Sequence, residues 1–313
     1  MQSVARESCA MQHSEFEPPS ARPKGSVGDY VFLNGAFIPA RDAHVSVHDR
    51  GFLFAHAAYE VTAVYDGKLV DFEHHIARLK RTLAGIEIEF PKLDFAALHD
   101  EMMRRNHLRE GLIYVQVTAG NPGPRDYFGP EEFTPTVYMF ATHKTLIGDV
   151  AQNGLTAIAY EDTRWRRRDL KTTQLLTQTL AYRAARRSGA DTAILHEDGM
   201  VTEAASANLW IVDKSGILVT RDLSAALLPG ITRDRLLDIL QASGHNIEER
   251  GFSLAELSDA AEAFTSSTGV VIAPVLSIDE TPIGSGQPGP VTRKVQSAYY
   301  AYIGADITKI DWL

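Results

Sequence analysis

The stretch Arg164-Trp165-Arg166-Arg167-Arg168-Asp169-Leu170-Lys171-Thr172-Thr173-Gln174-Leu175-Leu176 decides how the rest of the chain is read. Its lysine ends a cation-rich run and precedes apolar residues at helical spacing, Leu175, Leu176, Leu180 and Ala184. That spacing predicts a helix over 172–187 with those four residues facing inward and Gly189 just beyond its end. A lysine at a helix start opposes the helix dipole, and neighbouring arginines disfavour its charge. A lysine that sheds its proton is the kind that forms a Schiff base with a carbonyl.

Two later segments complete the pattern, Val201-Thr202-Glu203-Ala204-Ala205-Ser206-Ala207-Asn208 and Leu228-Pro229-Gly230-Ile231-Thr232-Arg233-Asp234. Glu203 closes a predicted hairpin strand, a place where a lone glutamate is usually just solvated. Gly230-Ile231-Thr232 opens a helix predicted over 231–242 and closed by Gly244, so its amides and the Thr232 hydroxyl converge on one point and suit an anion. Alone, that start would read equally well as a plain helix cap. Together, an amine, a carboxylate and a phosphate-holding helix start are what pyridoxal phosphate asks of a protein.

These three segments resemble the fold type IV (class IV) aminotransferases, which include D-amino-acid, branched-chain and (R)-amine transaminases and aminodeoxychorismate lyase. The resemblance runs from about Tyr30 to Ile303. Asp169-Leu170-Lys171 and Gly230-Ile231-Thr232-Arg233-Asp234 are most similar to the D-amino-acid branch, with the (R)-amine enzymes next. The resemblance implies a two-domain α/β fold with pyridoxal 5'-phosphate in the cleft between domains, a homodimer, and Lys171 as the catalytic residue. It implies Glu203 at the ring nitrogen, Leu228 against the ring, and Gly230, Ile231, Thr232, Ser267, Thr268 and Arg78 at the phosphate. Ser206 follows Glu203 where the D-amino-acid enzymes carry small hydroxyl residues, although Ala205 departs from that pattern. For the substrate α-carboxylate it implies Tyr59 and Arg125. Tyr127 stands where the family's Arg-x-His pair has its histidine.

The implied reaction is ping-pong transfer of an amino group from a D-amino acid such as D-alanine to a 2-oxo acid. The alternatives are an (R)-amine or mixed specificity, an L-branched-chain transaminase, and a lyase on the same scaffold. A Tyr-Glu-Gly is expected of a branched-chain enzyme where this chain has Tyr59-Glu60-Val61, which ranks that reading lower.

Forty acidic against 31 basic side chains give a formal charge of −9, which disfavours nucleic acid or an anionic membrane as the main partner. The single cysteine, Cys9, excludes an intrachain disulfide, and no run reaches the ~18 apolar residues of a membrane span. A cytoplasmic protein is expected. The histidines lack metal-site spacing: His74 and His75 are adjacent, and no His-x₃-His occurs on a predicted helix. His56 is expected near the pocket rim or in a structural role.

Residues 1–26 read as a flexible extension, 27–145 as a small α/β domain, 146–153 as a linker, and 154–313 as a larger α/β domain carrying the lysine. Asn34-Gly35 and Asp66-Gly67 predict tight hairpin turns. Helices are predicted over 73–86, with Ile76, Leu79, Leu83 and Ile86 inward, and over 94–106. Strands are predicted over 112–118 and 136–141. Two further hairpins are expected about Glu197-Asp198-Gly199 and Asp213-Lys214-Ser215.

Overall fold

The computed structural model describes residues 27–313; the expected N-terminal extension, with Cys9, lies outside them. The first half builds a six-stranded antiparallel sheet in the order β2-β1-β6-β5-β3-β4. Its strands are β1 (Val27–Leu33), β2 (Ala36–Pro39), β3 (Ala57–Tyr65), β4 (Lys68–Leu69), β5 (Gly111–Thr118) and β6 (Thr136–His143). Both predicted tight turns are present, with φ of 47° and 96° at Asn34 and Gly35 and of 48° and 74° at Asp66 and Gly67. Those left-handed values are what Asn-Gly and Asp-Gly accommodate at little steric cost. A short helix, α1 (Arg50–Phe54), leads into β3.

Helices α2 (Phe72–Gly85) and α3 (Phe95–Arg105) cover one face of this sheet. Leu79 and Leu83 of α2 are buried, and Ile76 and Ile86 pack at the margin of the same core. The buried stripe of α2 also carries His75 and Arg78, at the i, i+3 spacing that puts them on one face.

The second half forms a nine-stranded sheet, β12-β11-β10-β13-β14-β7-β8-β9, with β15 paired to β14. In chain order these are β7 (Leu155–Glu161), β8 (Thr192–Glu197), β9 (Met200–Ala204), β10 (Asn208–Val212), β11 (Leu218–Thr220), β12 (Ile247–Glu249), β13 (Glu262–Ser267), β14 (Val271–Ile278) and β15 (Thr281–Pro282). Helix α4 (Asp149–Asn153) precedes β7, α5 (Leu176–Arg187) joins the parallel strands β7 and β8, and α6 (Ile231–Ala242) follows the phosphate-type turn. Helices α7 (Leu254–Asp259) and α8 (Pro290–Tyr302) complete the second half. Leu236 and Leu240 of α6 and Val295, Tyr299 and Tyr300 of α8 share a core with Trp210 and Phe264.

Two readings of the sequence change. The stretch 146–153, expected as a bare connection, contains α4, and Ala151 of that helix is buried in the second half's core. A single helical turn is too short to display a period, so loss of periodicity marked it only as irregular. Helix α5 starts at Leu176 rather than at 172, and its buried residues are Ala181 and Ala185. Leu176 and Leu180, expected inward, are 71% and 45% exposed. Their size suggests core, whereas the inward face of α5 is set by Ala181 and Ala185, with Ala181 packed among Ala193, Leu195 and Ala205.

No helix among the described residues is long and apolar enough to cross a membrane. No group of three or more His, Cys, Asp or Glu among them is arranged to hold a metal ion.

Candidate active site

A cavity of about 290 Å³ opens between the two sheets. Lys171, Glu203, Ser206, Leu228, Gly230, Ile231, Thr232, Ser267 and Thr268 line it, with Arg78 and Tyr59 from the first half. The folded chain therefore brings together residues from separate parts of the sequence, from β3 to the end of β13.

Lys171 does not begin a helix. It lies in an extended segment stitched to β3: the Tyr59 amide donates to the Lys171 carbonyl at 3.0 Å, and the Thr173 amide donates to Ala57 O at 3.1 Å. Ala58 and Thr172 form an antiparallel bridge between these contacts, and the Lys171 amide donates to the Thr82 hydroxyl of α2. The strand thereby fixes the lysine backbone, and Nζ lies 4.3 Å from the centre of the Tyr59 ring. The arginines preceding Lys171 are engaged elsewhere. Arg164 pairs with Asp162 and Glu203, Arg168 with Asp162 and Glu197, and Arg167 with Asp169, while Arg166 faces solvent. The charges of Arg164, Arg167 and Arg168 are thus met by carboxylates rather than directed at the lysine amine.

Glu203, at the end of β9, is 4% exposed. Burial pushes its carboxyl above the ordinary carboxylate range, and the Arg164 guanidinium opposes that rise. The Leu228 amide and the Asn208 side-chain amide donate to Glu203 Oε2 at 3.3 and 3.4 Å. Asn208 Nδ2 also donates to Leu228 O at 2.9 Å, so one side chain ties the carboxylate to the 228–232 turn. The Tyr182 and Ser206 hydroxyls, which line the same cavity, lie 2.5 Å apart.

Gly230 is the N-cap of α6, and no side chain caps that helix, so its first-turn amides face the cavity without a side-chain acceptor. A β-carbon on Gly230 would stand 2.0 Å from Asn208 Oδ1, so only glycine lets the turn approach so closely. Arg78 reaches the same turn from α2, with Nη1 donating to Pro229 O at 2.9 Å. Its Nε and Nη2 grip Glu60, which also accepts from His75 Nδ1 at 2.8 Å. All three side chains are buried. Burial alone would raise the Glu60 pKa, yet Arg78 and the His75 hydrogen bond hold it well below the ordinary range. Burial also lowers the His75 pKa, which leaves that imidazole neutral at pH 7.

The donor set suits a phosphorylated aromatic carbonyl compound with a basic ring nitrogen. The α6 amides, the Thr232, Ser267 and Thr268 hydroxyls and Arg78 supply an anion cradle. A buried carboxylate and a flexible amine line the same cavity. Of the expected substrate residues, Tyr59 lies in this wall, whereas Arg125 and Tyr127 do not. Tyr127 lines an adjoining chamber that shares Trp165, Thr172 and Gln174 with the main cavity, and His56 lies in that chamber too. Arg125 Nη2 donates to the Tyr127 hydroxyl at 2.8 Å on an exposed loop.

Arg164, Asn208, Tyr182, Glu60 and His75 were not expected at the site. A signal for Glu60 existed: on β3 it alternates with Tyr59 onto the face of Ala58 and Thr62, and a charge there needs a buried partner. Nothing local marks Arg164 or Asn208, whose roles arise from contacts across the fold.

Residues 57–278 match the family model described as amino-transferase class IV. The chain is 36% identical over 283 residues to a D-alanine aminotransferase from Bacillus licheniformis, covering 89% of this chain and 99% of that relative. It is 35% identical over 276 residues to a D-alanine aminotransferase from Staphylococcus haemolyticus, covering 87% and 97%. Among solved structures it is similar to a branched-chain amino acid aminotransferase from Escherichia coli, with TM-score 0.80, 25% identity, and 91% and 98% of the two chains covered. A branched-chain aminotransferase from Thermoproteus uzoniensis, solved with norvaline, gives TM-score 0.78 at 25% identity, covering 91% and 98%. With more than two thirds of its length matched by the family model and a relative 36% identical over 89% of its sequence, the chain belongs to the class IV aminotransferases.

Proposed function

We propose that this protein is a pyridoxal 5'-phosphate-dependent D-amino-acid transaminase, moving the amino group of a donor such as D-alanine to a 2-oxo acid. The observation that carries the reading is the meeting of Lys171, Glu203 and the Thr232 turn in one cavity. The D-amino-acid side rests on the D-alanine aminotransferase relatives, which favour it over the (R)-amine, branched-chain and lyase alternatives.

In this reading Arg78, Thr232, Ser267, Thr268 and the amides at Gly230 and Ile231 hold the phosphate. Leu228 supports the ring, and Ser206, joined to Tyr182, stands beside it. Glu203 keeps a proton on the ring nitrogen, with Arg164 and Asn208 fixing its direction. When bound, the cofactor supplies an electron sink for the carbon that loses its proton. Lys171 Nζ would hold the cofactor at rest and, once the donor amine has displaced it, would be the free amine that takes that proton as general base and returns it as general acid. Tyr59, Arg125 and Tyr127 orient the substrate carboxylate at the junction with the adjoining chamber.

A cytoplasmic homodimer belongs to the same proposal. Exposed Leu176 and Leu180 on α5, beside the cavity, support a second copy covering that face.

The test is a half-reaction titration of the holoenzyme with D-alanine, L-leucine and (R)-1-phenylethylamine, each without an acceptor, followed by absorption. Bleaching by D-alanine is expected. Bleaching by L-leucine alone would replace the reading with a branched-chain one, and bleaching by the amine would widen it to mixed specificity.

A further inference from the structure

Arg50 is 7% exposed, yet no carboxylate among the described residues lies within ion-pair distance of it. Two of its three guanidinium nitrogens are spent on one loop. Nη1 donates to the Asp126 carbonyl at 2.5 Å and Nη2 to the Tyr127 carbonyl at 3.3 Å. Nε donates to His56 Nδ1 at 3.3 Å, which leaves the His56 Nε2 proton to bond Ile86 O at 2.7 Å. The guanidinium carbon lies 4.7 Å from the Phe54 ring centre and 5.3 Å from that of Phe133. The Arg50 amide meanwhile donates to Gly120 O at 2.8 Å. The loop between β5 and β6 is thus held at its start, its tip and its return by one residue of α1.

The carbonyls gripped at the tip follow Arg125 directly and include that of Tyr127. Arg125 itself lies 5.0 Å from the Phe54 ring centre, so one phenyl ring is shared by both guanidinium groups. Apart from that contact, its place 4.8 Å from the Tyr127 ring centre and its bond to the Tyr127 hydroxyl, Arg125 is exposed. The position of this pair is therefore set from below, through the backbone, by a side chain that lines the adjoining chamber and not the main cavity.

We propose that Arg50 is a positioning residue for substrate recognition: by clamping the Asp126 and Tyr127 carbonyls it places Arg125 and Tyr127 where a substrate carboxylate is received. The inference rests on the carboxylate role given to Arg125 and Tyr127 above. A planar fork satisfies two carbonyls while stacking on two rings. Lysine offers one compact charge and reproduces only part of this.

The test compares Arg50→Met, Arg50→Lys, Arg125→Ala and the Arg50→Met/Arg125→Ala pair as holoenzymes, with cofactor absorption checking the site of each. For Arg50→Met, KM for D-alanine and for pyruvate is expected to rise about tenfold or more with kcat changed far less, since misplaced positioning groups weaken orientation. Arg50→Lys is expected to fall between it and the parent. Arg50→Met is expected to add little in the Arg125→Ala background, because both changes remove one device. An unchanged KM in Arg50→Met, beside a raised KM in Arg125→Ala, overturns the positioning role and leaves the carboxylate reading standing. An unchanged KM in Arg125→Ala sinks the carboxylate reading itself. Independent, additive effects show that Arg50 acts by another route. Should Arg50→Met not yield holoenzyme, Arg50→Lys with parental KM and kcat for both substrates also overturns the proposal.

Discussion

Arg78 donates through Nε and Nη2 to both oxygens of Glu60, at 2.7 and 2.9 Å, inside a layer where neither side chain meets water. The third donor group of the same guanidinium reaches across to Pro229 O beside the start of α6. A carboxylate on β3 therefore sets the direction of the arginine that helps form the anion cradle.

Replacing Glu60 with glutamine removes the charge that Arg78 was buried against. Breaking one side of a buried pair costs about 3 kcal/mol or more, because the remaining charge is left uncompensated. Glu60→Gln is expected to lower the melting temperature and to weaken pyridoxal phosphate retention together, read by thermal unfolding and by absorption after dialysis. A variant that unfolds earlier but keeps its cofactor at parental affinity would separate the clasp from the cradle.

The same cluster predicts acid sensitivity. Glu60 is held below its ordinary value of 4.5 and His75 below its ordinary 6.5, while burial takes His99 down to about 4. In each case the unfolded chain takes up a proton at a higher pH than the folded one. The stability that these three groups contribute is therefore complete above pH 6.5, declines as the histidines are passed, and declines further as pH falls below 4.5 towards the lowered Glu60 value. Melting temperatures measured from pH 7.5 down to 4 should fall along this course, and His75→Gln should flatten its upper part. An equally steep fall in that variant removes His75 as a cause.

Much of this architecture is legible in the sequence, because tight turns and helix faces are local. Asn34-Gly35, Asp66-Gly67 and the α3 boundaries at Asp94 and Asn106 are written in a few adjacent residues. The start of α5 is not. The leucines that follow Thr172 and Thr173 predict helix there, whereas β3 captures this segment through Ala57 and Ala58. Tertiary pairing overrode the local period, and Lys171 thereby owes its place to a strand more than a hundred residues earlier. Lys171, Glu203 and Thr232 could be found by motif, while Arg164 and Asn208, which orient Glu203, became visible only with the fold.

The exposed leucines of α5 give a second outcome. Leu176 and Leu180 lie one helical turn apart on a face that the described residues do not cover. With the proposed dimer formed through this face, Leu176→Asp with Leu180→Lys is expected to give a monomer in sedimentation while leaving the circular dichroism unchanged. A dimer of unaltered strength would place the subunit contact elsewhere.

Arg164 reaches Glu203 from a cluster that also includes Asp162 and Arg168. In Arg164→Met the Glu203 carboxyl keeps the burial that raises its pKa and loses the cation that opposes the rise. In the role proposed for Glu203, a larger neutral fraction stabilises a protonated ring nitrogen less. The expectation is a fall in kcat of about 100-fold, within the range seen for groups that orient a catalytic partner, together with an acid limb of the kcat profile displaced to higher pH. Parental kcat with a parental pH profile would leave Arg164 a purely structural partner.

Gly230 isolates the anion cradle from the rest of the chemistry. Its φ of −73° suits any residue, so an alanine there meets no backbone strain and acts only through its methyl group. That methyl would stand 2.0 Å from Asn208 Oδ1, too close for either atom to stay. Asn208 must then swing from Leu228 O and Glu203, or the turn must retreat from β10, and either movement spoils the convergence of the α6 amides with Arg78. Gly230→Ala is therefore expected to fold and to bind pyridoxal phosphate at least tenfold more weakly, a loss of about 1.4 kcal/mol. Titration of the apoprotein followed by absorption measures it. Asn208→Ala in the same background makes room for the methyl, so partial recovery of affinity is the sign that the clash, rather than the glycine's flexibility, was the cause.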